Sequence, residues 1–173
     1  MRDGKLKNAV LSAMFLAIGI VLPFFTSQIK EIGDTLLPMH IPALLCGFIC
    51  GPWYGIVTGF MIPLLKCLVL SMPPIYPNAV WMSLELATYG FVAGIMYRKK
   101  KNPSIIYTYI CLVVAMISGR IVWGIAKAIL LGIGGKTFGI SAFIAGGLVD
   151  AIPGIVIQLV LIPILLKALN KEE

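Results

Sequence analysis

The feature that most constrains this chain is the length of its stretches without charge. No Asp, Glu, Lys or Arg occurs in residues 8–29, 35–65, 67–84 or 102–119. Each stretch is near or above the ~18 residues that a helix needs to cross a bilayer. Apolar residues make up 60% of the chain and charged residues 12%, against about 45–50% and 25% in soluble proteins. A soluble domain of this size could not bury so much apolar surface, so the sequence predicts an all-α integral membrane protein.

The apolar segments predict a bundle of six transmembrane helices that forms a single transmembrane domain, residues 1–173. The predicted crossings are residues 8–25, 38–51, 52–71, 78–97, 104–133 and 140–169. The second is expected to be short or broken and to join the third through a tight turn, because it contains Pro42 and ends at Gly51-Pro52. No internal repeat is present, so nothing indicates the inverted repeats of many secondary transporters.

The positions of the basic residues predict the orientation of the bundle. Lys and Arg gather near the N-terminus, in residues 98–101 and near the C-terminus, whereas only Lys30 and Lys136 fall in the loops between. The positive-inside rule therefore predicts that both termini are cytoplasmic, with loops 26–37, 72–77 and 134–139 outside. The first helix is expected to be retained rather than cleaved as a signal peptide, because no Ala-x-Ala-like site follows it.

Ionisable residues inside the predicted crossings are the candidate functional residues, because each costs at least ~2.5 kcal/mol in lipid. At ~1.5 Å per residue they fall between the midplane and the outer face, on four separate helices. The predicted substrate-binding residues are His40, Lys66, Asn78, Glu85, Arg120, Trp123, Lys127, Asp150 and Gln158.

One helix face is expected to line a cavity with cations. Arg120, Trp123 and Lys127 are spaced i, i+3 and i+7, which places two cations and an aromatic ring together. An excess of cations over anions inside the bilayer favours a ligand with a carboxylate or phosphate.

Purely structural roles remain open for most of these residues. Glu85 and Arg120 would neutralise each other as a buried ion pair, and Lys66 would extend its amine to the outer interface. His40 is as well suited to bonding a helix end as to contacting a ligand, and Gln158 to bridging two helices.

Other classes of function find little support in the sequence. The cysteines Cys46, Cys50, Cys67 and Cys111 lie in apolar segments without a CxxC pattern, so we expect neither a metal site nor a cofactor. No catalytic triad or HExxH spacing occurs, and we expect no enzyme activity. Basic residues at the ends of apolar runs reflect topology rather than nucleic-acid binding.

Small residues recur at four-residue spacing, which lets helices approach closely in lipid. Gly47, Gly51, Gly55 and Gly59, and likewise Gly90 and Gly94, are expected to pack inside the bundle. The stripe of Ala9, Ala13 and Ala17 lies in the predicted cytoplasmic half of the first helix, where it suits internal packing or a membrane partner equally.

The chain resembles the substrate-binding S components of energy-coupling factor (ECF) vitamin transporters over its whole length. The resemblance rests on residues 13–17 (Ala-Met-Phe-Leu-Ala), similar to the family's Ala-x-x-x-Ala motif, and on residues 39–42, 51–55, 72–74, 85–90 and 158–163. It implies a high-affinity binder for a vitamin-like small molecule in the cell membrane of a prokaryote, with its site on the extracellular side. It also implies a transmembrane T component, which engages the alanine motif, and two cytosolic ATPases that supply the energy.

The identity of the vitamin does not follow from the resemblance. The cationic excess makes pantothenate our expected ligand, while folate, a corrinoid and a pyridine vitamin stay open. Two other classes also stay open: a self-sufficient proton-coupled secondary transporter, with Glu85 or Asp150 as proton relay, and an intramembrane enzyme acting on a lipid-like substrate.

Overall fold

The computed structural model describes residues 2–26, 38–70, 74–100, 103–135, 139–149 and 151–169, and these residues form helices without strands. The helices are α1 (Arg2–Thr26), α2 (His40–Cys50), α3 (Pro52–Leu70), α4 (Val80–Arg98), α5 (Ile105–Ile133), α6 (Ile140–Ile144) and α7 (Ile152–Leu169). A π-helical turn, Ile75–Ala79, leads into α4, and a second, Ala145–Val149, follows α6. The predicted positions of Lys30, Lys136 and Asp150 lie outside the described residues.

Five helical stretches within the described residues are long and apolar enough to cross a membrane. They are Gly4–Phe24, Pro52–Leu70, Ile75–Arg98, Ile105–Ile133 and Ala145–Leu169. With the shorter α2 they match the six predicted segments. The outer surface is apolar: α5, for example, exposes Ile117, Ile121, Ile125 and Ile129 on one stripe. A surface of this kind suits lipid, and the chain is a multi-pass membrane protein.

The sixth predicted segment is interrupted. Instead of one helix over residues 140–169, the short α6 passes into the Ala145–Val149 turn and α7 begins at Ile152. Gly146-Gly147 weakens the helix at the turn. Pro153 lies in the first turn of α7, where the missing N–H has no helical partner to lose.

The second helix is short, as predicted, and is enclosed by the bundle. Its 11 residues rise about 16 Å, roughly half of the ~30 Å hydrocarbon core. Every residue of α2 is buried except Ile49, which is half-buried. The predicted tight turn to α3 is formed by Gly51, whose φ of 95° suits glycine.

Glycines bring α2, α3 and α4 into backbone contact, which confirms their predicted packing role. A Cβ atom on Gly55 would lie 2.6 Å from the carbonyl oxygen of Gly90, and one on Gly94 would lie 2.5 Å from the nitrogen of Pro52. A Cβ atom on Gly47 would also overlap the backbone of Gly90. No larger residue would allow these three helices to lie so close together.

One end of the bundle collects the basic residues. The Tyr54 hydroxyl donates to the carbonyl of Lys5 at 3.2 Å, and Arg98 Nη2 donates to the carbonyl of Cys50 at 2.6 Å. These bonds bring the first residues of α1 and α3 beside the last residues of α2 and α4. We call this the basic end; its basic residues in the described part of the chain are Arg2, Lys5, Lys7, Arg98, Lys99, Lys100 and Lys167.

Candidate functional site

Four buried polar side chains meet between α2, α4 and α5. Arg120 Nη1 lies 3.0 Å from Glu85 Oε1, the Tyr89 hydroxyl donates to the same oxygen at 2.9 Å, and His40 Nε2 lies 3.5 Å from it. His40 and Glu85 are 1% and 2% exposed, and Arg120 is also buried. We call these four residues the Glu85 cluster.

Local sequence explains how the Glu85 cluster is assembled. Tyr89 follows Glu85 by one helical turn, so both side chains project from the same face of α4. Gly119 precedes Arg120 on α5, and a Cβ atom there would overlap the Tyr89 ring. His40 is the first residue of α2, and its ring centroid lies 5.3 Å from that of Tyr89. Glycine on α5 thus makes room for the aromatic ring beside the ion pair.

The contact between Glu85 and Arg120 is the buried ion pair that the sequence left open as an alternative. In a medium of low dielectric constant each charge alone would be strongly unfavourable, and the pair offsets that penalty only through close geometry and added hydrogen bonds. Tyr89 supplies one such bond to the carboxylate. Arg120 Nε and both ring nitrogens of His40 make no hydrogen bond with the residues that the structure describes.

We call the Glu85 cluster and Gln158 of α7 together the polar layer. It lies next to the main apolar core, on the side away from the basic end. That core includes Tyr89 on α4, Met116 on α5 and Ile162 on α7. Four residues further from the basic end, these helices carry Glu85, Arg120 and Gln158 respectively. Four residues of helix rise about 6 Å, so each polar side chain lies about one turn beyond its core residue, on the side away from the basic end. Gln158 is 1% exposed, and neither its amide nitrogen nor its amide oxygen has a hydrogen-bond partner among the described residues.

Aromatic rings and a lysine lie beyond the polar layer, further from the basic end. The Lys127 amine is 4.5 Å from the ring centroid of Trp123 and 5.4 Å from that of Trp81. The Arg120 guanidinium is 5.8 Å from the same Trp123 ring. The predicted shared face of Arg120, Trp123 and Lys127 is therefore present in the structure. Cation–π contacts of this kind orient the amine of Lys127 between two aromatic walls.

Phe143 of α6 completes the aromatic group. Its ring centroid lies 6.0 Å from that of Trp123, and a Cβ atom on Gly124 would overlap the Phe143 ring. At the same end, the Tyr76 hydroxyl donates to the carbonyl of Leu130 at 3.3 Å, which ties the turn before α4 to the end of α5. The aromatic group is thus built from three separate helices.

The remaining predicted site residues have different positions. Lys66 is half-buried on α3, and the contacts of Glu85 described above do not include it; Asn78 is half-buried in the Ile75–Ala79 turn. Asp150 lies outside the described residues. Ala9, Ala13 and Ala17 are all exposed on α1, so the alanine stripe lies on the outside of the bundle.

Sequence reasoning missed Tyr89 and Trp81. Both are spaced four residues from Glu85, one on each side, and helical periodicity would have placed them on the face of that carboxylate. Phe143 carried no such signal, because its place beside Trp123 depends on how α6 packs against α5.

The chemistry available to these residues is binding through hydrogen bonds, charge and aromatic contact. Among the described residues, no group of three or more His, Cys, Asp or Glu side chains is arranged to hold a metal ion. The site combines a neutralised ion pair, a buried amide and an aromatic-walled cation, a combination suited to a small polar molecule.

A family model described as "ECF transporter, substrate-specific component" matches residues 7–166. No curated protein and no solved structure matches the chain. The match covers nearly the whole chain, from the first residues of α1 to the last turn of α7.

Proposed function

Because the chain belongs to the family of ECF transporter substrate-specific components, we propose that it captures a vitamin-like small molecule outside a prokaryotic cell and delivers it through an ATP-driven ECF complex. In this proposal both termini are cytoplasmic, so the basic end faces the cytosol and the polar layer faces outward. The chain acts as a single transmembrane domain without catalytic activity of its own.

The observation that carries the ligand site is the polar layer with its aromatic wall. Buried polar groups are energetically costly in a membrane bundle, and they usually mark a functional site. Here they converge from α2, α4, α5 and α7 on one side of the apolar core. We propose that the ligand is bound by members of this layer and by residues nearer the outer surface. The proposed contacts are His40, Lys66, Asn78, Glu85, Arg120, Trp123, Lys127, Asp150 and Gln158.

The charge of the ligand is proposed from α5. Arg120 pairs with Glu85, and Lys127 lies one layer further out, with its amine over the rings of Trp81 and Trp123. A carboxylate that enters between the two indole rings would meet an amine already oriented toward it. This supports an anionic ligand, and pantothenate is our first candidate.

The partner surface is proposed on α1. Within Gly4–Phe24 only Gly19 and Pro23 are buried in the bundle, and the alanine stripe, here called the alanine ridge (Ala9, Ala13 and Ala17), faces outward. Side chains of this size let a second helix approach to close packing distance. We propose that a transmembrane T component docks on the alanine ridge and links the chain to two cytosolic ATPases.

Binding of radiolabelled pantothenate to the purified protein tests the ligand site. Lys127→Ala is expected to weaken binding by roughly 1.5–3 kcal/mol, the range for a hydrogen bond to a charged group. Lys100→Ala is the matched control, because the Lys100 amine also lies over an aromatic ring, Tyr107 at 5.2 Å, but at the basic end. Equal loss in both variants would argue against the site.

A set of competing ligands extends this experiment. Folate, cyanocobalamin and pyridoxine are tested by the displacement of pantothenate and by direct retention in native mass spectrometry. Uptake into vesicles that lack ATPases, driven by a proton gradient alone, would favour the secondary transporter instead.

A further inference from the structure

Gln158 lies in the polar layer with its whole hydrogen-bonding capacity unmatched. Its amide provides two donor hydrogens and one acceptor oxygen. Both heavy atoms are buried without a hydrogen-bond partner among the described residues. Leaving such a group unpaired costs about 1–3 kcal/mol of stability. An apolar side chain of the same size would avoid that penalty.

The surroundings of Gln158 limit what can pair with it. One turn toward the basic end, Ile162 is fully buried in the apolar core, so apolar packing closes that side and we expect a ligand to approach from the outer side. At the level of the layer, the Glu85 carboxylate is already held by Arg120 and Tyr89. Burying a second carboxylate at Gln158 would carry a large desolvation penalty, and the uncharged amide offers no cation to offset it. We therefore expect the group that reaches Gln158 to be uncharged.

We infer that Gln158 recognises an uncharged group of the ligand that both donates and accepts hydrogen bonds, such as a carboxamide, a ureido group or a hydroxyl. This inference rests on the proposed function and deepens it by naming the chemistry of the ligand's inner end. A group that donates and accepts pairs with both sides of the Gln158 amide, and a purely apolar end leaves them unpaired. Sites built in this way discriminate strongly against analogues that lack the polar group.

Gln158→Met separates this role from a structural one, because the two roles predict opposite changes in stability. Methionine fills a similar volume without a polar group to satisfy. If Gln158 serves the ligand, ligand-free Q158M is more stable than wild type, with a Tm higher by about 2–4 °C for each kcal/mol regained. If Gln158 bridges two helices, Q158M has a lower Tm. Val156→Met, at an exposed position of the same helix, is the control and changes neither Tm nor binding.

The binding test uses an equimolar mixture of pantothenate, biotin, lipoate and octanoate, with retention measured by native mass spectrometry. All four are carboxylic acids. Pantothenate and biotin also carry uncharged donor–acceptor groups, whereas lipoate and octanoate do not. Wild type is expected to retain pantothenate or biotin, and Q158M is expected to bind the retained compound roughly 10- to 100-fold more weakly.

The outcomes separate this inference from the proposal on which it rests. Equal retention of lipoate or octanoate by wild type, unchanged affinity in Q158M, or a lower Tm of ligand-free Q158M would each overturn the role of Gln158 and leave the binding function standing. Retention of none of the four compounds by wild type would count against the proposed anionic vitamin-like ligand itself.

Discussion

At the scale of single residues, Glu85 determines how the buried polar layer is held together. Three side chains from three helices approach one of its oxygens, Oε1: His40, Tyr89 and Arg120. A carboxylate at 2% exposure in a membrane bundle needs such neighbours. Each neighbour therefore affects folding as well as any ligand that binds above it.

Removing one partner of the Glu85–Arg120 pair should destabilise the protein more than removing both. Arg120→Ala leaves a buried carboxylate without its cation and is expected to cost roughly 3–5 kcal/mol. The double variant Glu85→Gln/Arg120→Gln carries no net buried charge and should recover most of that loss. Thermal unfolding in detergent measures both. A double variant no more stable than Arg120→Ala would mean that the pair is not the main interaction at this position.

The candidate residues were predictable because ionisable groups are rare inside lipid. His40, Glu85 and Arg120 stand out in an otherwise apolar chain, and the structure brings these three together. For Glu85 and Arg120 the sequence allowed two interpretations, an ion pair or contacts with a ligand. The choice depends on distances between helices, which the sequence does not give. The unmatched amide of Gln158 likewise becomes visible only when the neighbouring helices are in place.

At the scale of helices, backbone contact through glycine fixes the arrangement of α2, α3 and α4. Gly90 of α4 lies against Gly47 of α2 and Gly55 of α3 at one point. A methyl group there cannot be accommodated by rotating a side chain, because the opposing atoms belong to the main chain. The three helices must move apart instead, which would also shift Glu85 on α4.

Alanine at Gly90 should therefore be harmful, whereas alanine at Gly132 should not. Gly90→Ala is expected to destabilise the bundle by roughly 1–3 kcal/mol through overpacking. A methyl group on Gly132 of α5 would meet no described neighbour within 4 Å, so Gly132→Ala should be neutral or stabilise by up to about 1 kcal/mol. Denaturation midpoints compare the two, and similar effects at both positions would contradict the packing argument.

A large side chain on the outer face of α1 should abolish transport without changing ligand binding. Ala13→Trp places a large ring on the proposed docking ridge, on the exposed face of α1. Affinity of the isolated protein for pantothenate should stay unchanged, while uptake and co-purification with T component and ATPases should be lost. Ile117→Trp, at a lipid-facing position of α5, is the control and should retain both. Loss of binding in Ala13→Trp would show instead that α1 supports the ligand site.

The six membrane segments and the shortness of α2 could be read from the sequence, because charge gaps and Gly51-Pro52 mark where apolar runs begin and end. The interruption between α6 and α7 was not predicted, because hydropathy alone made residues 140–169 one segment, although Gly146-Gly147 and Pro153 lie at the turn and in the first turn of α7. Hydropathy reports that such a segment prefers lipid. It does not report where the backbone leaves helical geometry inside it.

At the scale of the whole molecule, the basic residues collect at one end and the polar layer lies toward the other. If the positive-inside rule holds, an impermeant thiol reagent added to intact cells should label Gly134→Cys and not Lys99→Cys. Both positions are exposed, and the four native cysteines are buried, which keeps background labelling low. Labelling of Lys99→Cys from outside would invert the orientation and move the proposed site to the cytosolic side.

The enclosed short helix α2 also has a consequence for how the protein is made. A segment of 11 residues is too short to span the bilayer alone, and its final position has no face in contact with lipid. We therefore expect the translocon to insert α2 and α3 together as a hairpin. The hairpin would reach its final packing only after α4 has been synthesised, because glycines of α4 pack against both helices of the hairpin. Until that moment α2 has no stable place in the membrane, and biogenesis of the ligand site depends on the order of synthesis.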